Sequence, residues 1–325
     1  MKVVVTGAGG FIGRLLTRAL LERGSLTGPS GGQEEIDRLV LFDAVAIDQA
    51  PRDPRVETVQ GDISDPATVF ALCDQDDLSV FHLASVLSGT GEADFDLAFR
   101  VNFEGGRNVL EALRARAGTP RLVLASTTAV FGEPAVHGTV GDTTRHTPQT
   151  TYGVTKAILE LLVNDYTRKG FVDGRAARLP TILVRPGPPN AATSGFASGV
   201  IREPLNGVDT VVPVPAETRM IVTGHRTCVA CFVALHEVDG SQLGSDRAVT
   251  LPSISVTIQD LVDCLPRVAG DRPLGRVSIE PDPDVVRVVN TWAAHSTFEK
   301  ASALGLPVDP DADSIVRAFI EDFLG

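Results

Sequence analysis

The chain opens on KVVVTGAGGFIG, a β-branched run that passes directly into a turn containing Gly7, Gly10 and Gly13. Val3, Val4 and Val5 follow one another without polar alternation. Such a strand is apolar on both faces, and a parallel sheet covered on both sides is the structure that buries it. The next stretch, FIGRLLTRALLERG, changes to helical periodicity and ends in a glycine stop. Strand, glycine turn and helix in immediate succession form the context in which G-x-x-G-x-x-G reads as a dinucleotide-binding turn. Gly7 permits the tight turn, Gly10 lets the backbone approach a pyrophosphate, and Gly13 allows the helix to pack close to the strand. Phe11 and Ile12 open the helix, where N–H donors and the helix dipole favour phosphate.

The alternation continues. RLVLFDA, VETVQGDI, SVFHLAS, RLVLASTTAVFG and AARLPTILV read as strands, and helical runs are expected at 66–73, 95–117 and over TYGVTKAILELLVNDYTRKG. This pattern predicts an α/β fold with a doubly wound parallel sheet. GSLTGPSGGQEE reads as a mobile surface loop. After Arg185 prolines become dense and strands sparse. A boundary is therefore placed near 186, giving a dinucleotide-binding domain over 1–185 and a smaller mixed α/β substrate lobe over 186–325, with room for some chain to cross back. A chain of 325 residues is long enough for both cores.

The formal net charge of -12 argues against a nucleic-acid partner. No stretch reads as a membrane span or as a signal peptide, so a cytoplasmic protein with reduced thiols is expected. Cys228 and Cys231 form a C-x-x-C inside an apolar helical run, with no second pair or histidine cluster to complete a metal site. They are read as core cysteines, and no metal is expected.

Asp43 ends the second strand, where a carboxylate accepts both hydroxyls of an adenosine ribose and repels a 2′-phosphate; NAD is expected over NADP. Asp62, after the third strand, is read either as a helix-capping residue or as a partner of the adenine amino group. Tyr152 and Lys156 stand four residues apart on one helix face. An ordinary tyrosine is a poor base at neutral pH, and an adjacent ammonium is expected to lower its pKa and make it a general acid/base for a substrate hydroxyl. Thr127, at the end of the preceding strand, offers a hydroxyl to the reacting oxygen. Ser126 alternates to the other side and is expected to help seat the cofactor.

Together, Gly7-x-x-Gly10-x-x-Gly13, Asp43, Asp62-Ile63, the HLAS of Leu83-Ala84, the Asn102 of VNFEGGRNVLEAL, Ser126-Thr127 and Tyr152-x-x-x-Lys156 resemble the extended short-chain dehydrogenase/reductase superfamily. The resemblance implies a Rossmann-like lobe that binds NAD. It implies Tyr152 as base, Lys156 on the nicotinamide ribose, Thr127 as hydroxyl partner, and Ile63, Leu83, Ala84 and Asn102 in the cofactor site. Many relatives read Ser-Ser and V-Y-G where this chain has Ser126-Thr127 and Val130-Phe131-Gly132; threonine keeps the hydroxyl. The long helical runs resemble those that pair in dimers of the superfamily, and a homodimer is expected.

Farther along, RLPTI, RPGPPN and IREPL resemble the narrower D-erythronate dehydrogenase subfamily, as do VPVPAETRMIVTGHRTCVACFVAL and RVVNTWAAHSTFEKASALGL. This implies oxidation of a small sugar acid, D-erythronate, at C2 to 2-dehydro-D-erythronate. Asn190, Ser194 and Ser198 are the candidates for its hydroxyls, and Arg219 or Arg226 for its carboxylate. A nucleotide-sugar epimerase or dehydratase of the same superfamily, or an NAD-binding protein without catalysis, are the alternatives.

Overall fold

Seven parallel strands form the main sheet of the computed structural model, which describes residues 1–188 and 194–325. Strand β1 (Lys2–Thr6) leads into helix α1 (Phe11–Arg23), then β2 (Arg38–Asp43), β3 (Val56–Gln60), helix α2 (Pro66–Leu72) and β4 (Leu78–His82). Helix α3 (Gly105–Arg114), β5 (Arg121–Thr127), α4 (Thr151–Arg168) and β6 (Asp173–Leu179) follow. β1 lies between β2 and β4, so the chain builds the sheet outward in one direction through β3 and then in the other through β6. A crevice opens at the carboxyl ends of the strands where that order reverses. The unbroken valine run of β1 is fully covered, as its lack of alternation requires.

Pro180 has no N–H for a ladder, and β6 stops at Leu179 just before it. The chain resumes as β7 (Thr181–Leu183), which belongs to a different, three-stranded sheet. Helix α5 (Gly195–Leu205), β8 (Arg219–Gly224), α6 (His225–Glu237), β9 (Ala248–Thr250), β10 (Ile254–Thr257), α7 (Ile258–Val268) and α8 (Ala312–Phe323) complete the main elements. β8 pairs parallel with β7 and antiparallel with β10, and this sheet packs its apolar side on α5, α7 and α8. β9 instead returns to the main sheet beside β6. Helix α6 buries Cys228, Cys231 and Phe232 in the same core as Val3 and Val5. The two lobes are therefore interlaced rather than consecutive in the chain.

Two local differences from the sequence reading have clear causes. Residues 24–35, expected as a mobile loop, contain an antiparallel hairpin of Ser25–Thr27 with Gln33–Glu35. Leu26 is buried, and the Glu237 carboxylate of α6 accepts from the Thr27 N–H at 2.9 Å, so a remote helix holds the hairpin. The helix expected over 95–117 is present as Phe95–Ala98, a wide-turned π segment at Phe99–Glu104, and α3. Gly106 of α3 lies so close to α4 that a Cβ there would meet Leu159 at 2.6 Å. Among the described residues no helix is long and apolar enough to cross a membrane.

Candidate active site

A cleft of about 1070 Å³ runs along the carboxyl ends of the strands and into the second lobe. At one end the turn after β1 is held by Gly7 at φ +71°, where a Cβ would meet the Ala84 backbone nitrogen at 2.7 Å. That contact brings the ends of β1 and β4 together and places Leu83 and Ala84 on the cleft wall. Gly10 caps α1 without any side-chain hydrogen bond. The first-turn N–H groups therefore face the cleft through Phe11, Ile12 and Gly13, with the helix dipole behind them. Asp43 also lines the cleft; its Oδ2 accepts from the Gly9 N–H at 2.9 Å and its Oδ1 from the Val45 N–H at 3.3 Å. Each oxygen keeps acceptor capacity for a ribose hydroxyl. A bare glycine cradle, an uncapped helix N-terminus and an oriented carboxylate fit an adenine dinucleotide. Asp62 and Ile63 close this end, with Asp62 held below the ordinary carboxylate range by hydrogen bonds from Ser64.

Two cofactor-site expectations place differently. Asn102 is buried and is not among the cleft-lining residues; its Oδ1 accepts from the Val86 N–H at 2.8 Å and the Ser85 hydroxyl at 3.0 Å. It anchors the loop after β4. Ser126 borders the cleft, but its hydroxyl donates to Glu160 in the core. Strand alternation sends that side chain to the helix-covered face.

The candidate acid–base residues lie where β5 meets α4. Gly153 makes this approach possible: a Cβ there would lie 2.2 Å from the Ala129 carbonyl oxygen in the turn after β5. Thr127 ends β5 and Tyr152 opens the first turn of α4, and both line the cleft; the Thr127 hydroxyl accepts from the Ala129 N–H at 3.1 Å. Burial pushes the phenol up to about 12, and only the neighbouring Thr127 side chain opposes it. The lowering expected from Lys156 is absent from this arrangement. The Lys156 ammonium lies 5.7 Å from the Tyr152 ring centroid and donates to the Ala125 carbonyl oxygen at 2.9 Å. Burial holds Lys156 down to about 8, opposed by the negative charge of Glu160.

Glu160 was not anticipated as part of the site. It is buried, accepts from Ser126, and is clasped by Arg178 Nε at 3.0 Å and Nη2 at 2.8 Å. Its position one helical turn beyond Lys156 was the available signal. His82, also missed, is buried at the end of β4 with Nδ1 2.7 Å from the Thr6 hydroxyl. Burial, then the charge of Lys156, push it down to about 3, so it is neutral.

Of the second-lobe residues, Ser194, Ser198 and Trp292 also line the cleft. Asn190 lies outside the described residues. Neither arginine expected to meet a carboxylate is there. Arg226 on α6 is exposed and pairs with Asp322 at 2.6 Å and Glu321 at 2.8 Å. Arg219 is exposed at the start of β8 and donates to the Ser255 carbonyl oxygen at 3.3 Å. The arginines that do line the cleft are Arg14, Arg185 and Arg202. The latter two belong to the RPGPPN and IREPL stretches, so motif membership was a better guide than position after the loop.

Residues 3–219 match the NAD dependent epimerase/dehydratase family. The chain is 48% identical to a D-erythronate dehydrogenase of Cupriavidus necator, over 99% of this chain and 98% of that protein. It is 38% identical to a D-erythronate dehydrogenase of Haemophilus influenzae, over 99% of each. Among solved structures, a nucleoside-diphosphate-sugar epimerase from Agrobacterium tumefaciens superposes with a TM-score of 0.92 at 36% identity, covering 100% of this chain and 95% of that one. With its parallel sheet, glycine cradle and Tyr-x-x-x-Lys helix at one cleft, the chain belongs to the NAD dependent epimerase/dehydratase family, the extended short-chain dehydrogenase/reductases.

Proposed function

We propose that this oxidoreductase oxidises D-erythronate at C2 to 2-dehydro-D-erythronate with NAD, and that Tyr152 is the general base. The observation that carries the chemistry is that Thr127, Tyr152 and Lys156 line the same cleft as the Gly7, Gly10 and Gly13 turn. The substrate reading is supported by the two dehydrogenase relatives that match along almost the whole chain.

Thr127 and Tyr152 hold the substrate hydroxyl between them, and the Tyr152 phenolate takes its proton. Bound NAD supplies the hydride acceptor for the same carbon. The charged Lys156 would hold the nicotinamide ribose of bound NAD, and Glu160 supports that charge. Asp43 selects a cofactor with a free ribose 2′-hydroxyl. The apolar walls at Leu83, Ala84 and Ile221 exclude water and strengthen these charges.

The protein is further proposed to act as a homodimer through the outer faces of α4 and the 95–114 helix, where Leu161 is 62% and Phe95 58% exposed. The cytoplasm is the proposed location; the four cysteines are free and buried, in keeping with a reducing compartment.

Purified protein with NAD and a panel of four- and five-carbon sugar acids tests the reading. Net NADH formation with D-erythronate, and a 2-keto product, is the expected result. Stereochemical change of a nucleotide sugar without NADH accumulation would establish an epimerase instead. NAD binding with no turnover of any compound would establish a non-catalytic binder.

A further inference from the structure

We propose that Arg185 and Arg202 hold the substrate carboxylate, and that this anchor selects the carbon to be oxidised. The inference rests on the sugar-acid reading above. Both side chains line the cleft that contains Tyr152 and Thr127. They are tied to each other: Arg202 Nη1 donates to the Arg185 carbonyl oxygen at 2.9 Å. Ser198, one turn before Arg202 on α5, accepts from the Arg185 N–H at 3.1 Å. The end of β7 and helix α5 thus present two guanidinium groups as one unit.

Their charge is unevenly balanced. Arg202 is 5% exposed and leans on Glu203, with Nε 3.0 Å from Oε2. Among the described residues no carboxylate lies within ion-pairing distance of Arg185, whose Nη2 is directed to the Pro188 carbonyl oxygen. Burial, and then the positive charges of Arg202 and Arg14, hold Arg185 below the usual arginine range. Three arginines that line one cleft, one of them partly buried and without a carboxylate partner, give it a positive potential that attracts an anion. Arginine's planar fork suits a carboxylate, which it can meet with two parallel hydrogen bonds.

The occupant follows from where the pair is carried. Arg14 sits on α1 beside the phosphate cradle, whereas Arg185 and Arg202 stand on second-lobe elements with Ser198 and Trp292. In a 2-hydroxy acid the carboxyl carbon is bonded directly to the reacting carbon. An anchor at the carboxylate therefore fixes C2, rather than C3 or C4, beside Tyr152.

Arg185→Met is the decisive variant, because its half-buried side chain can be truncated at the cleft wall. Arg202→Lys keeps the charge and removes the fork. Steady-state kinetics with D-erythronate and NAD are combined with titration of Trp292 fluorescence, since this is the sole tryptophan and it lines the cleft. We expect Arg185→Met to raise KM for D-erythronate on the order of 10–100-fold and Arg202→Lys to raise it less, with KM for NAD within about twofold. A rise in KM for NAD instead would show that Arg185 serves the cofactor phosphates and would overturn the proposal, as would two unchanged KM values. If the wild type does not oxidise D-erythronate, the substrate reading fails separately. The arginine assignment is then decided by whether Arg185→Met loses the Trp292 response to whichever sugar acid the wild type binds, or to glycolate as a minimal 2-hydroxy acid; an equal response in wild type and variant overturns it.

Discussion

The ammonium of Lys156 donates to the carbonyl oxygen of Ala125 at 2.9 Å, which ties the first turns of α4 to the strand that ends at Thr127. Through this bond the phenol of Tyr152 and the hydroxyl of Thr127 share one edge of the cleft. Helix and strand are thereby locked in register at the place where proton transfer is proposed.

Tyr152→Phe removes the phenol and keeps the ring that packs beneath Lys156. Turnover is expected to fall roughly 10²–10⁴-fold. NADH affinity, read by fluorescence titration, stays at the wild-type value. Near-normal turnover by the variant would remove Tyr152 from the mechanism.

Glu160→Gln acts on Lys156 without touching the cleft. Lys156 is already held down to about 8 by burial, and Glu160 is the charge that opposes that burial. Losing it lowers the lysine further. Oxidation requires the lysine in its charged form, so activity is lost as pH rises through its pKa. The alkaline limb of the kcat/KM profile is expected to move to lower pH. Arg178 would also lose its buried charged partner and keep only the exposed Asp246 at 4.0 Å, at a cost of about 3–5 kcal/mol in urea denaturation. An unmoved limb with normal stability would contradict the coupling.

Asp43→Asn keeps a polar group at the end of β2 and removes its charge. The kcat/KM for NAD is expected to fall roughly tenfold or more, the scale of a lost charge-assisted hydrogen bond. The NAD-to-NADP ratio falls with it, because the repulsion of a 2′-phosphate is gone. Parallel assays with both cofactors decide the point; an unchanged ratio counts against the ribose role.

Leu161→Glu places a charge on the exposed face of α4. Light scattering is expected to show a dimer for the wild type and a monomer for the variant. Burial of one such side chain is worth about 1.5–3 kcal/mol, and a buried charge opposes assembly further. A monomeric wild type would exclude the proposed interface.

The sheet was legible because its signals are local. β1, the glycine turn and α1 occupy adjacent positions, and Gly10 and Gly13 answer contacts with Gly7 and Ala8 in the same turn, whereas the contact of Gly7 is with the remote Leu83-Ala84 backbone. The Tyr-x-x-x-Lys pair was legible for the same reason, since helix geometry alone puts both side chains on one face. The tyrosine's electrostatics were not. An ammonium four residues away predicts a lowered pKa, yet burial dominates and the lysine is directed to Ala125.

By itself, then, the amino-acid order determined the strand–turn–helix succession, the glycine turn and the shared helix face of Tyr152 and Lys156, all set by short-range geometry. Only the tertiary structure decided which arginines face the cleft, that Ser126 turns inward to Glu160, and that β9 and α6 return to the first lobe. Those outcomes depend on long-range packing: Pro180 diverts the chain to a second sheet, and the space left beside β6 is filled by a strand about seventy residues later. No spacing within a motif encodes that return. In the resulting fold Arg226 is exposed on α6, while Arg185 and Arg202 line the cleft.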